Sequence, residues 1–315
     1  MSIQGKIRGL HHVTATVREA QEDYDFYTKT LGLRLVKETV NFDDENVYHF
    51  YYADKVGTPS TVFTTFPYAR IGVRQGTIGT GQVATTAFSV PTASLDFWRK
   101  HLTDQKVDAT EAEAFGMPVL FFRDPSGLQL ALVGDDNDDR DQLWTTDAIG
   151  GDHAIRGMHH AHLLVAEAAP TLQFLHDFGY ETVQEEGNRT LLKAGAGKAG
   201  DLLVVEADPS RERGRNGLGT VHHVAHRTAN IEDSLAIRAH LIDKYGMMTT
   251  DVKDRKYFRS IYFRIPGGVL FEIATEGPGF LVDEGEAELG THLRLPDWQE
   301  PRREIIEKNL VPYER

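Results

Sequence analysis

The sequence predicts an α+β chain made of four copies of one unit, each a strand, a helix and then about three strands. Three observations carry this expectation. Gly9-Leu10-His11-His12-Val13 is echoed by Gly157-Met158-His159-His160-Ala161 and by Gly219-Thr220-Val221-His222-His223-Val224. A helical pattern follows each of these starts. Finally, residues 121–133 match residues 262–274, and in both a Pro-Ser-Gly or Pro-Gly-Gly turn joins two β-rich runs, which is hairpin chemistry. A repeat of this length means one supersecondary unit used several times, so it decides the architecture before single elements are read.

Taken in order, the first unit opens on an apolar strand ending near Val17. Its helix is expected over 19–31, where Tyr24, Tyr27 and Leu31 fall at i, i+3 and i+7 and Gly32 stands where a C-terminal cap belongs. The second unit opens at residues 82–90, the same kind of strand without histidines, with a helix over 92–102. The third and fourth have helices over 168–178 and 231–245. Between the halves, residues 134–152 lose all periodicity. The acidic run 135–141 within them has Arg140 where a calcium loop needs glycine and Thr146 where it needs glutamate, so a solvated linker is expected. The predicted organisation is therefore an N-terminal pair of units over 1–140, a C-terminal pair over 150–280 and a tail over 281–315. That tail carries a helix over 301–310, with Ile305, Ile306 and Leu310 at packing spacing, covering a barrel mouth or a dimer contact. The glycine-rich residues 71–81 lack the lysine of a phosphate-binding loop and read as a flexible connection, a candidate flap over a pocket. The basic cluster at 208–217 reads as a solvated loop.

Composition narrows the function. The chain has 315 residues, 47 acidic against 34 basic side chains and a formal net charge of −13. Such a surface repels phosphate backbones, so no nucleic-acid partner is expected. Cysteine is absent, which removes disulfides, thiolate metal sites and a cysteine nucleophile. No apolar run is long enough to cross a membrane as a helix, and no signal-peptide core opens the chain. A cytoplasmic protein is expected, with self-association left open. No Gly-x-Ser-x-Gly elbow is present to support a serine hydrolase.

The chemistry-bearing residues point to a metal. Glu272 sits in Gly268-Val-Leu-Phe-Glu-Ile-Ala274 with apolar neighbours on both strand faces. A buried carboxylate without a partner costs several kcal/mol, so a cation or strong donors are expected beside it. Alternate strand residues share a face. On that rule Leu10, His12, Thr14 and Thr16 line a cavity, while His11, Val13, Ala15 and Val17 pack on the helix. His12, His160 and His223 are equivalent in the repeat, and His223 shares a unit with Glu272. Two histidines and one carboxylate on one face form the usual ligand set of non-heme Fe(II) oxygenases. The third ligand is His160 if units three and four share a barrel, and His12 if units one and four do.

Four strand–helix–three-strand units resemble the vicinal oxygen chelate superfamily of glyoxalase I, bleomycin-resistance proteins and extradiol dioxygenases. Within it, the chain is similar to ring-cleaving dioxygenases that open hydroquinones. The residues that carry this are Leu10-His-His-Val-Thr14, the strand at 57–67, the block 254–272, Pro278-Gly-Phe280 and the acidic C-terminal helix. The resemblance implies units paired into two incomplete β-barrels, the vicinal oxygen chelate fold, with a divalent metal in a concave face. It favours His12, His223 and Glu272 as ligands, with His160 as the alternative. It also places His11, Thr14, His222, Arg255 and Tyr262 around the pocket. It implies Fe(II), with Mn(II) as a second candidate and another divalent ion such as zinc in a purified sample. The substrates would be a small aromatic diol and O2. Alternatives on the same fold are a catechol extradiol enzyme, a glyoxalase-like isomerase and a metal-free protein that binds an aromatic ligand.

Overall fold

The computed structural model describes residues 3–68 and 71–315. Unit one comprises β1 (Leu10–Val17), α1 (Ala20–Asp25) running into a π-helical turn (Phe26–Thr30), β2 (Arg34–Asn41), β3 (Asp44–Ala53) and β4 (Val62–Pro67). Unit two has β5 (Gln82–Val90), α2 (Leu95–Asp104), β6 (Ala109–Ala114), β7 (Met117–Arg123) and β8 (Gln129–Gly134). Unit three has β9 (Gly157–Val165), α3 (Ala168–Phe178), β10 (Glu181–Glu186), β11 (Arg189–Lys193) and β12 (Leu202–Ala207). Unit four has β13 (Thr220–Thr228), α4 (Ile231–Tyr245), β14 (Lys253–Asp254), β15 (Arg259–Arg264) and β16 (Leu270–Thr275), and the tail carries α5 (Arg303–Asn309). The third and fourth helices span the residues the pattern predicts. The first is shorter: α1 widens at Phe26, and Gly32 ends it in the left-handed region at φ +67. No helix among the described residues is long and apolar enough to cross a membrane.

The strands form two curled eight-stranded sheets. One has the order β14-β15-β16-β13-β1-β4-β3-β2 and the other β10-β11-β12-β9-β5-β8-β7-β6. Unit one therefore joins unit four, and unit two joins unit three. The two halves of the chain, 1–140 and 150–280, do not build separate sheets; each contributes one unit to each. The seam of the first sheet is the antiparallel pair β1–β13, and that of the second is β5–β9. Val13, Ala15 and Val17 face the large core shared with α3, α4 and Trp98 of α2.

All three His-His pairs sit on β-bulges. His11 is the extra residue between Leu10 and His12 opposite β13. His222 is extra between Val221 and His223, and His159 between Met158 and His160. A bulge breaks strict alternation by one residue. Leu10 consequently joins Val13 in the core, and His11 does not pack there as alternation predicts. Its Nδ1 lies 2.9 Å from His12 Nδ1, and the pairs His159–His160 and His222–His223 repeat this contact at 2.8 Å.

Two loops differ from expectation. In the acidic run, Asp138 is buried and ion-paired with Arg140, whose guanidinium donates to the Ser60 carbonyl at 3.2 Å and the Met158 carbonyl at 2.9 Å. The segment is solvated at Asp136, Asn137, Asp139 and Asp141, as expected, but at Asp138 and Arg140 it also ties the two sheets together. The glycine-rich 71–81 and the basic 208–217 run side by side, bridged at Gln75–Leu218, Thr77–Arg215 and Thr80–Arg213. Gly79 is held so close that a Cβ there would lie 2.3 Å from the Glu212 carbonyl. These crossovers brace each other and do not cover the pocket described below. In the tail, Ile306 and Leu310 pack on Val40 and Leu295, while Ile305 faces solvent. Buried Lys37 anchors the tail through Glu284 and through Asp283 at 2.6 Å.

Candidate metal centre

Strand register brings the site together. His12 on β1, Ala225 on β13 and Glu272 on β16 form one row across three neighbouring strands, and His223 pairs with Thr14 on the same seam. The small Ala225 side chain leaves the space between His12 and Glu272 open. His12 Nε2 lies 3.2 Å from His223 Nε2 and 3.4 Å from Glu272 Oε2, and His223 Nε2 lies 2.8 Å from the same oxygen. Three donors at right angles on one ion, each about 2.1 Å from it, stand about 3 Å apart. The observed triangle has that size. Among the described residues it is the one group of three histidine or carboxylate side chains that could hold a metal ion.

The electrostatics fit a cation. All three side chains are buried, and neither Glu272 oxygen receives a hydrogen bond. Arg264 does not reach Glu272; it donates to the Gly268 carbonyl at 2.9 Å. Burial disfavours the ionised Glu272 carboxyl, and positive charge beside it, on His12 and His223 or on a metal ion, is what holds it ionised. Burial lowers His223. Each Nδ1···Nδ1 contact needs one proton between its two rings. With that proton on the second histidine, its Nε2 lone pair faces the triangle. His11 and His222 thus orient His12 and His223.

The site opens into a cavity of about 290 Å³, near the lower end of the roughly 300–1,000 Å³ common for small-molecule sites. Its walls include His222, Arg255, Tyr262, Phe258, His49, Tyr51, Phe66 and Tyr68, and residues 41–44 at the β2–β3 tip form part of its rim. Arg255 donates from Nε to the Tyr262 hydroxyl at 3.2 Å and from Nη2 to Asp43 at 2.8 Å. Burial, then Glu272, pushes the Tyr262 phenol up, so its proton stays on the oxygen. His11 and Thr14 are buried behind this wall, and Thr14 Oγ1 contacts Thr64 Oγ1 at 2.7 Å. A larger groove of about 990 Å³ between α1 and β7, with Lys29, Lys106 and Arg123 at its edge, is open to solvent and holds no such ligand triangle.

His160 stands in the other sheet. There the register puts Thr85 where His12 would be, Val204 where Glu272 would be and Ala131 where Thr64 would be. The small space around it, about 20 Å³, is mostly apolar. His160 therefore has no part in the triangle.

Residues 9–132 match the glyoxalase family, described as the Glyoxalase/Bleomycin resistance protein/Dioxygenase superfamily. The chain is 44% identical over 302 residues to MhqE of Bacillus subtilis strain 168, a protein provisionally named a ring-cleaving dioxygenase, covering 96% of this chain and 97% of that one. The chain belongs to this superfamily. A second relative within it, the chlorohydroquinone/hydroquinone 1,2-dioxygenase of Sphingobium indicum, is 34% identical, with 99% of this chain and 97% of that one covered. A crystal structure of a provisionally named dioxygenase from Bacillus subtilis superposes with a TM-score of 0.93 at 42% identity, covering 98% of both chains. Maize glyoxalase I, at 14% identity and a TM-score of 0.63 over 85% of this chain and 92% of that one, shares the superfamily fold.

The superfamily repeat also exposes residues that strand alternation passed over. His49 and Tyr51 alternate with Phe50 and Tyr52 on β3, an aromatic run that reads as core. Only the matching of β3 to β15 would have flagged Tyr51, because it stands opposite Thr64 as Tyr262 stands opposite Glu272.

Proposed function

We propose that this protein is an Fe(II)-dependent dioxygenase that opens the ring of a hydroquinone or a related aromatic diol, with Mn(II) as the other candidate ion. The observation that carries the reading is the buried His12, His223 and Glu272 triangle, with both carboxylate oxygens lacking hydrogen bonds, beside a cavity sized for one substituted ring. Three ligands on one face leave positions for substrate and O2. The metal would supply the electronic coupling between the diol and O2. The chain's own groups do the rest. Phe66 and Phe258 offer aromatic faces to the ring and exclude water. Arg255 keeps a positive charge at the wall and, with the Tyr262 hydroxyl, stabilises negative charge developing on oxygen. His222, at the cavity wall, orients His223 through the Nδ1···Nδ1 contact, and burial followed by the neighbouring His223 keeps its ring neutral. The fourth corner of the triangle is Thr64 rather than a carboxylate, which argues against an isomerase with a carboxylate-rich site.

Anaerobic reconstitution with Fe(II), followed by O2 uptake with methylhydroquinone and with catechol, tests the reading in wild type and Glu272→Ala. One O2 consumed per methylhydroquinone, lost in the variant, is the expected result. Turnover of catechol alone moves the substrate class. A bound metal with no uptake favours the isomerase, and a chain that binds no metal is a ligand-binding protein.

A further inference from the structure

The first sheet carries an approximate two-fold relation about the β1–β13 seam. Val13 pairs with Phe63 as Val224 pairs with Phe271, so Thr64 takes on β4 the place that Glu272 takes on β16. Tyr51 lies opposite Thr64, and Tyr262 opposite Glu272. Two phenols thus line one cavity from opposite sides of the seam. Their surroundings differ. Tyr262 stands beside the Arg255 cation. The Tyr51 hydroxyl lies 2.9 Å from His49 Nδ1, His49 Nε2 lies 2.9 Å from Thr64 Oγ1, and Thr64 Oγ1 lies 2.7 Å from Thr14 Oγ1.

His49 is buried, and burial together with His12 keeps it neutral. A neutral imidazole has one donor and one acceptor nitrogen. With the proton on Nε2, His49 donates to Thr64 and accepts a hydrogen bond from the Tyr51 hydroxyl, and Tyr51 offers its lone pairs to the cavity. With the proton on Nδ1, Tyr51 accepts from His49 and offers its own O–H. The pair can therefore meet a hydroxyl as acceptor or as donor. A diol with well-separated hydroxyls gives one oxygen to the metal, and its other hydroxyl must find a partner on the wall or lose its hydration uncompensated. Phe66 and Phe258 offer no such partner, whereas the Tyr68 hydroxyl, which accepts from Asn41 at 2.7 Å, keeps its own O–H and is the competing partner that the test below separates from Tyr51.

We infer that Tyr51, positioned by His49, takes the ring hydroxyl that is not bound to the metal and so makes the site prefer diols to monophenols. This rests on the ring-cleavage reading above. A site built to hydrogen-bond a hydroxyl rejects the analogue that lacks it.

The test is equilibrium binding of hydroquinone and of phenol, by calorimetry under argon, to Fe(II)-loaded protein. Wild type should bind hydroquinone about five- to tenfold tighter than phenol, the worth of one well-made hydrogen bond. Tyr51→Phe should bring the ratio to within about twofold while leaving phenol affinity unchanged. His49→Asn, whose amide stands near the Nδ1 position, should keep most of the ratio, and His49→Leu should lose it. An unchanged ratio in Tyr51→Phe, or its loss in Tyr68→Phe instead, overturns the inference. If wild type takes up O2 with hydroquinone yet Tyr51→Phe keeps the ratio, only this inference falls. If wild type cleaves no diol, both fall together.

Discussion

Replacing Glu272 with leucine should make the metal-free protein more stable and abolish its response to metal. Glu272 is fully buried on β16 between Phe271 and Ile273, and neither of its oxygens receives a hydrogen bond. Leaving such a group buried and unsatisfied costs about 1–3 kcal/mol, and exchanging a buried ionic group for an apolar side chain of similar size is often stabilising. At about 2–3 °C per kcal/mol for a chain of this length, metal-free Glu272→Leu should melt roughly 2–9 °C above metal-free wild type. A divalent ion at about a hundred times its dissociation constant adds about 2.7 kcal/mol to a protein that binds it only when folded. Wild type should therefore gain roughly 5–8 °C on loading, and the variant less than about 1 °C, so the gap between the two melting temperatures narrows or reverses. Scanning calorimetry after exhaustive chelation, with and without Zn(II) as an ion inert toward O2, reads both quantities. A metal-free variant melting several degrees below metal-free wild type would refute the reasoning. Glu272 would then be a structural partner of the 2.8 Å His223 contact rather than a carboxylate waiting for a cation.

Three other outcomes follow from the same geometry. His12→Ala should lose stoichiometric metal while His160→Ala retains it, read by elemental analysis of dialysed protein; the reverse would move the centre to the second sheet. Thr64→Glu places a second carboxylate at the fourth corner, so metal affinity should rise about tenfold or more while diol-dependent O2 uptake falls, because a position needed by substrate or O2 is taken. Asp23 is buried where Tyr52 and Thr65 donate to it at 2.8 and 2.6 Å, and burial pushes its pKa up from 3.8 to about 8. The folded state then keeps a proton that the unfolded chain releases, so stability falls as pH rises from about 4 to 8. Asp23→Asn should gain on wild type across that window, by an upper limit on the order of 5 kcal/mol. Urea midpoints at both pH values measure it, and a parallel pH dependence of the two proteins would exclude a proton held by Asp23.

Much of the molecule is legible in its sequence because the same unit is written four times. The repeated glycine followed by a His-His pair and the matched hairpins mark strand starts and ends, and Glu272 stands out because nothing apolar explains a carboxylate in that run. Three things are not legible, each for a physical reason. The pairing of unit one with unit four joins residues more than 200 positions apart, and local pattern carries no information about such partners. The bulges at His11, His159 and His222 add one residue to a period of two, so strict alternation sends His11 to the wrong face. His49 and Tyr51 are hidden because an aromatic strand looks the same whether it fills a core or lines a cavity. The acidic run misleads in the opposite direction: Asp138 and Arg140 neutralise each other and so can be tucked between the sheets.

The nested order of the sheets also sets a timetable for synthesis. Units two and three are contiguous over residues 82–207, so the inner sheet can assemble while the ribosome is still translating unit four. Unit one emerges first, yet β1 waits for β13, and His12 for a carboxylate about 260 residues downstream. Throughout that interval one side of β1 lacks its final strand neighbour, the kind of exposed edge that chaperones shield and that favours aggregation. A metal-binding triangle therefore cannot exist on a nascent chain that ends before residue 272. Products terminated between residues 207 and 272 would carry the complete second sheet and an unpaired first unit, without the carboxylate that completes the ligand triangle.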